Sequence, residues 1–306
     1  LHAYDIDQFA LKYNRPDLIL SSMGLGIGEL IDHYRGQYLR RLRRAGFKES
    51  DLVSGFHVPE TVIISSKQNE KFYDMEISFS DDKYNLRRYN IFINDVPLFG
   101  SYGKEISGSN TSVRESIELS SGKNKIEVSC TNEKGMESYR ELINASYNKP
   151  VTGSLYFLGF GVSQYKDSEL NLKYADKDAR DLAGTFSKMK KKYGSVNVKT
   201  YLNGEVTADA FDRAKEFISA AKVDDTFVLF IAGHGVHGRD KDATYYYLTH
   251  NADRNDLAGS CVNFDTIEDL MQGIAPRNKI FLMDTCESGE IEDNSENAAI
   301  SAADTK

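Results

Sequence analysis

The spacing of apolar positions changes character twice along the chain. From Ile6 to about Leu52 they recur with a helical period; between Val58 and about Pro150 they alternate with polar residues; beyond Ser154 they collect into short continuous runs separated by amphipathic stretches. A helical period predicts helix, alternation predicts strands with one buried face, and bounded apolar runs predict strands covered on both faces. The chain therefore reads as a helical connector at 1–56, a β-sandwich at 57–150 and an α/β domain at 151–306.

The middle unit holds strand patterns at 61–66, 74–80, 89–94, 116–119 and 124–130, and the turn sequences Asn94-Asp95-Val96-Pro97 and Ser121-Gly122-Lys123-Asn124. Short antiparallel strands at near-regular spacing predict a sandwich of immunoglobulin type. No cluster of nucleophiles and bases falls on them, so this unit reads as a spacer or interaction module. The last unit alternates strands near 155–162, 196–202, 226–232 and 279–284 with helices near 174–192, 207–221 and 265–273. Such alternation predicts a mostly parallel sheet flanked by helices.

Two of the apolar runs lead into residues suited to nucleophilic chemistry: Phe227 to Ala232 is followed by Gly233-His234-Gly235, and Lys279 to Met283 by Asp284-Thr285-Cys286. In an open parallel α/β sheet the reactive groups gather outside the carboxyl ends of the strands. A thiol at its ordinary pKa of about 8.5 is mostly protonated at neutral pH and needs a base, for which His234 is the candidate. His237 repeats the local chemistry three residues on and is the rival. His250 reads as structural, and Cys130 and Cys261, on or beside apolar patterns, as buried thiols.

Gly233-His234-Gly235 and Asp284-Thr285-Cys286-Glu287-Ser288-Gly289 resemble the GHG and D-x-C-x-S-G motifs of caspase-like cysteine peptidases, closest to metacaspases and bacterial members. His234 and Cys286 are 52 residues apart, close to the roughly 50 of the caspase signature, although the Q-A-C-x-G pattern of caspases proper is absent. Leu155 to Tyr165 looks like the family's first strand and Asp176 to Leu182 like its first helix, so the resemblance covers about half the chain, from Ser154 onward.

That resemblance implies an endopeptidase with Cys286 as nucleophile, His234 as base, and the backbone N–H groups of Gly235 and Cys286 as oxyanion hole. It also implies a first specificity pocket lined by Asp284 and Asp178 that takes lysine or arginine of a protein substrate. Asp284 lies two residues before Cys286, on the same side of a strand, and a carboxylate there pairs with a cationic side chain; capping of the next turn is the alternative. A caspase-like sheet has further strands after the nucleophile. The small, polar tail from Asp293 to Lys306 has the composition that proteolysis favours, so self-cleavage at Lys306 and a C-terminal small subunit from the same precursor are expected. Tyr13-Asn14-Arg15-Pro16-Asp17 ahead of the sandwich resembles the connector of bacterial proteins in which a β-propeller precedes such a domain, which implies an upstream propeller or sensor domain; the chain opens on Leu1. The competing function is a regulatory or scaffold protein that binds rather than cleaves. A different Cys–His hydrolase is disfavoured by the lack of a G-x-S-x-G or G-x-C-x-G elbow.

A net charge of −8 and 27% charged residues argue against nucleic-acid or anionic-membrane surfaces, which need clustered Lys and Arg, and suit a cationic substrate. Three scattered cysteines make neither a disulfide framework nor a C-x-x-C metal site, which points to a reducing, cytoplasmic setting. No apolar run is long enough to cross a membrane. Gly24, Gly26 and Gly28 lack the preceding strand and following Lys-Ser or Lys-Thr of a phosphate loop, and Arg35, Arg40, Arg41, Arg43 and Arg44 read as a solvated helix face or docking surface. Asp265, Glu268, Asp269, Glu290, Glu292 and Asp293 match no EF-hand. No metal or cofactor is assigned, and calcium dependence stays open because some metacaspases require it.

Overall fold

The alternating middle of the chain becomes antiparallel ladders. In the computed structural model, which describes residues 6–52, 56–238 and 244–287, the chain divides into two units, Leu1–Pro150 and Val151–Lys306.

The first unit begins with α1 (Ala10–Tyr13), α2 (Pro16–Ser22) and α3 (Gly28–Arg44). Pro16 opens α2, where its missing N–H would have had no helical partner. Tyr38 and Leu42 of α3 join Ala45, Phe47 and Leu52 in a small core. Arg35 pairs with Glu49 at 2.6 Å, and the Arg15 guanidinium stacks 3.9 Å from the Tyr38 ring. Arg35 is thus tied into the fold rather than lying on a simple solvated face.

The strands of this unit are β1 (Glu60–Asn69), β2 (Phe72–Ser80), β3 (Leu86–Ile93), β4 (Val96–Pro97), β5 (Lys104–Glu105), β6 (Asn110–Glu118), β7 (Gly122–Asn132) and β8 (Glu141–Tyr147). One sheet runs β1-β2-β6; the other runs β4-β3-β7-β8, with β5 on β3. Ile77 and Phe79 of β2, Ile91 and Ile93 of β3, Ile117 of β6 and Ile126 and Val128 of β7 share one core, as alternation demands. Asn94 and Asp95 take positive φ (50° and 68°) in the hairpin between β3 and β4, the turn that Asn and Asp accommodate best. Strand β8 has no counterpart in the sequence reading, because Ala145 alone of its residues is buried. The helical segment is not a separate connector: Arg87 and Arg88 of β3 donate to the carbonyls of Gly46 and Ala45.

The second unit comprises β9 (Leu155–Gly161), α4 (Ala175–Ser187), β10 (Val196–Leu202), α5 (Ala208–Ser219), β11 (Thr226–His237), β12 (Tyr245–Tyr247), α6 (Leu257–Ser260), β13 (Val262–Asn263), α7 (Phe264–Asp269) and β14 (Asn278–Glu287). β10, β9, β11 and β14 are parallel, while β12 and β13 extend the sheet antiparallel from the far end of β11. The continuous apolar runs serve two cores at once. Leu155, Phe157, Val228, Phe230 and Ala232 pack with Ala175, Ala179 and Ala183 of α4; Leu158, Phe160, Leu229 and Ile231 pack with Ala210, Phe211, Ala214 and Ile218 of α5.

The chain passes from β9 outward to β10, then returns past β9 to β11 and on to β14. The strand order therefore reverses between β9 and β11, the point at whose carboxyl ends open α/β sheets bind ligands. β11 and β14 run further than the sequence predicts, through His234 and Cys286 respectively. Both residues lie within the last turns of the ladder rather than beyond it. Among the described residues no helix is long and apolar enough to cross a membrane.

Candidate active site

His234 is fixed by three constraints. Its backbone N–H donates to the Tyr165 hydroxyl at 3.0 Å. Its Nε2–H donates to the Leu170 carbonyl at 2.9 Å, and its ring lies 5.4 Å from that of Tyr165. The glycines on either side are dictated by tyrosines. A Cβ on Gly233, at φ +149°, would come 3.0 Å from the Tyr165 hydroxyl, and one on Gly235 would fall 1.7 Å from that of Tyr245.

With Nε2 committed to a carbonyl, the neutral ring presents Nδ1 as an acceptor. That atom is buried and has no hydrogen-bond partner among the described residues. Burial lowers the His234 pKa; the Leu170 carbonyl opposes this and the nearby Arg254 cation adds to it. The ring is thus uncharged at neutral pH and able to accept a proton at Nδ1.

Cys286 stands opposite His234 in the parallel ladder, Cα partner to Cα partner, and Asp284 stands opposite Ala232. Adjacent strands are about 4.8 Å apart, so the backbone brings the nucleophile candidate next to the base candidate. Thr285, between Asp284 and Cys286, shares a 2.6 Å hydrogen bond with Tyr245 of β12. The ladder between β11 and β14 ends at Gly235 and Glu287, so His237 lies beyond it, with its ring 5.3 Å from that of Tyr245. The register favours His234 over His237.

Asp284 is exposed and Asp178 half-buried. On α4, Ala175 and Ala179 face the sheet, close enough that a Cβ on Gly161 would come 2.5 Å from the Ala175 carbonyl. Asp176 leaves the helix toward the end of β10, where its carboxylate accepts from Asn203 at 3.2 Å. Two residues advance a helix by about 200°, so Asp178 leaves on a different flank from Asp176. Gly235 follows His234 in β11, in register with Tyr247 of β12. Lys306, Glu290, Glu292 and Asp293 lie outside the described residues.

The remaining candidates are accounted for by packing. His250 shares a 2.6 Å hydrogen bond with the Gln164 carbonyl through Nδ1. Burial pushes the Cys130 thiol up to about 12 and raises that of Cys261. One group of three metal-capable side chains occurs among the described residues, His57, Asp81 and Asp82 in the first unit. Its geometry is that of a hydrogen-bonded triad: Nδ1 contacts Asp81 at 2.9 Å and Nε2 contacts Asp82 at 2.8 Å, so opposite ring nitrogens face different carboxylates. Asp81 also accepts from the backbone of Lys83 and Tyr84 at Oδ1 and from Asn132 at Oδ2, so the carboxylate is already engaged by protein donors.

Sequence reasoning missed Tyr165, the Leu170 carbonyl, Tyr245 and Arg254. The tyrosines had one available signal, the need for something large beside Gly233 and Gly235; a backbone carbonyl has none.

Residues 158–305 match the family model described as the caspase domain. None of the curated proteins matches the chain. Among solved structures, the fibronectin(III)-like modules of Clostridium thermocellum CbhA are 10% identical, with 30% of this chain and 100% of that one covered and a TM-score of 0.25. OgpA from Akkermansia muciniphila is 10% identical over 33% of this chain and 32% of that one, with a TM-score of 0.26. A polysaccharide deacetylase from Bacillus cereus is 12% identical over 56% and 60%, with a TM-score of 0.19. Likenesses this slight carry no argument.

Proposed function

From the premise that residues 158–305 belong to the caspase domain family of cysteine peptidases, we propose that this protein is an endopeptidase that cleaves after lysine or arginine through Cys286 and His234. The observation that carries the proposal is the state of His234: Nε2–H held by the Leu170 carbonyl, Nδ1 without a hydrogen-bond partner among the described residues, and Cys286 opposite it in the ladder.

In this reading Nδ1 takes the thiol proton of Cys286, and the thiolate attacks the scissile carbonyl carbon. The resulting oxyanion is received by the backbone N–H groups of Gly235 and Cys286. The imidazolium, steadied by the Leu170 carbonyl, then gives its Nδ1 proton to the departing amine as the C–N bond breaks. Water, deprotonated by the same nitrogen, cleaves the thioester and restores the thiol. Asp284, two residues before Cys286 on β14, and Asp178, on α4, supply the charge for a cationic side chain.

β14 pairs with β11 alone among the described strands, and Ile280, Leu282 and Met283 are exposed on it (46%, 37% and 37%). An unpaired apolar edge is a place for further strands, here those of a small subunit from the same precursor. We extend the proposal to an immunoglobulin-type fold for the two-sheet unit, an upstream sensor domain, a bacterial source and a cytoplasmic setting.

A fluorogenic peptide panel varied only at the residue before the scissile bond, run with and without calcium beside Cys286→Ala, tests the reading. Turnover after Lys or Arg that the substitution abolishes supports it. Turnover after Asp keeps the peptidase and removes the roles of Asp284 and Asp178. Silence throughout, with partner binding retained, means a binding protein.

A further inference from the structure

The Leu170 carbonyl that receives His234 Nε2–H closes a single 3-10 turn, Ser168–Leu170, in the loop that follows β9. The loop is pinned on both sides of that turn. Asn203, itself at a left-handed φ of 50°, accepts from the backbone N–H groups of Ser163 and Gln164, and Asn171 accepts from that of Tyr165. The Leu170 side chain is buried, 2% exposed, which anchors the turn but leaves its rotation about that anchor to be set from the other side. There the Arg254 guanidinium meets Asp167 at 2.8 Å and Glu169 at 3.2 Å. Asp167 also caps the turn by accepting from the Glu169 N–H. The three residues come from segments 85 and 87 positions apart in sequence, and Arg254 is 21% exposed.

We propose that Arg254 is a positioning residue for His234: by holding Asp167 and Glu169 it sets the direction of the Leu170 carbonyl, and through it the tilt of the imidazole. The proposal rests on reading His234 as the base of a peptidase. Its second effect is electrostatic. Among the described residues the groups around the ring are the Tyr165 hydroxyl, the Leu170 carbonyl and the Arg254 cation. The cation adds to burial in disfavouring a positive charge on the ring and so helps to keep Nδ1 an acceptor in the resting state. Such a clamp acts on rate more than on stability, because ion pairs this exposed contribute little to folding.

The test compares wild type, Arg254→Lys and Arg254→Gln in the intact protein by histidine-selective NMR and by peptide hydrolysis. Arg254→Gln is expected to move the His234 titration upward, to speed exchange of its Nε2–H, and to lower kcat about tenfold with KM nearly unchanged, within the loss that a small misplacement causes. Arg254→Lys is expected to keep the titration near wild type and to restore part of kcat. An unchanged titration and an unchanged Nε2–H signal in Arg254→Gln overturn the clamp, whatever the activity. The expected NMR changes in a protein that hydrolyses no peptide overturn the peptidase reading and leave the clamp standing. Should Arg254→Gln fail to fold, Asp167→Asn/Glu169→Gln removes the same ion pairs but keeps the cation, so it is read by faster Nε2–H exchange and lowered kcat, and an unchanged Nε2–H signal there overturns the clamp.

Discussion

The Cα of His234 and the Cα of Cys286 stand opposite one another in the parallel ladder between β11 and β14, in a register that runs unbroken from Thr226 and Asn278 to Gly235 and Glu287. Every pair keeps the same offset of 52 residues. The candidate base and nucleophile are thus positioned by main-chain hydrogen bonds along ten consecutive pairs.

The first prediction concerns thiol reactivity. Burial holds the Cys130 thiol at about 12 and raises that of Cys261, so neither carries appreciable thiolate at neutral pH. Iodoacetamide is expected to label Cys286 alone in the folded protein. Labelling of Cys130 at a comparable rate in a mass-resolved peptide map contradicts this.

Gly235→Ala should be damaging out of proportion to one methyl group. The new carbon would sit 1.7 Å from the Tyr245 hydroxyl and 2.3 Å from the ring carbon bearing it, and the ring cannot retreat without breaking its 2.6 Å bond to Thr285. The expected cost is about 1–3 kcal/mol by urea unfolding, with activity lost. Adding Tyr245→Phe recovers little, because the ring carbon is still there; full recovery would mean the contact had been misplaced.

Lys279 should contribute stability that rises with pH through the alkaline range, opposite in sign to the contribution of the buried Cys130 thiol. Burial, with Arg277 adding to it, lowers its pKa to about 8, against about 10.4 in an unfolded chain. Between those values the unfolded state binds the proton and the native state does not, so unfolding becomes harder as pH rises. Lys279→Met should flatten the difference between urea midpoints at pH 8 and pH 10. The sign is the same for His234, whose lowered pKa makes stability fall as pH drops below its ordinary value of about 6.5.

Asp81→Asn tests the hydrogen-bonded triad of the first unit. Burial pushes the Asp81 carboxyl up, yet hydrogen bonds from Asn132, from the Lys83 and Tyr84 amides and from His57 outweigh it and hold the pKa below the ordinary value. The amide would set an N–H against those donors, at a cost of about 2–4 kcal/mol. In wild type the contribution is present above the unfolded carboxylate pKa of about 3.9 and disappears as pH falls through the lower folded value. An Asp81→Asn protein as stable as wild type at neutral pH would show the triad to be incidental.

The strands of the second unit were legible because burial on both faces leaves an unbroken apolar run, and the positions of His234 and Cys286 followed from the ends of two such runs. Their inclusion within the strands was not, since Gly233-His234-Gly235 reads as a turn until Tyr165 and Tyr245 are seen to occupy the space that side chains would need. Strand β8 was hidden because Ala145 alone of its residues is buried, which leaves no apolar alternation to read. The partners that tune His234 were hidden for another reason: Leu170 contributes a carbonyl, which every residue has, and Arg254 acts through two acidic residues more than eighty positions away.

The order in which the sheet is synthesised also sets when it becomes chemically competent. His234 belongs to the strand at the middle of the sheet, and its partner arrives on β14, the last described strand to leave the ribosome, 52 residues later. A nascent polypeptide can close β9, β10 and β11 with their helices while the thiol is still in the exit tunnel or not yet made. Under the proposed roles, the two halves of the reacting pair are separated by the time the ribosome needs to add 52 residues.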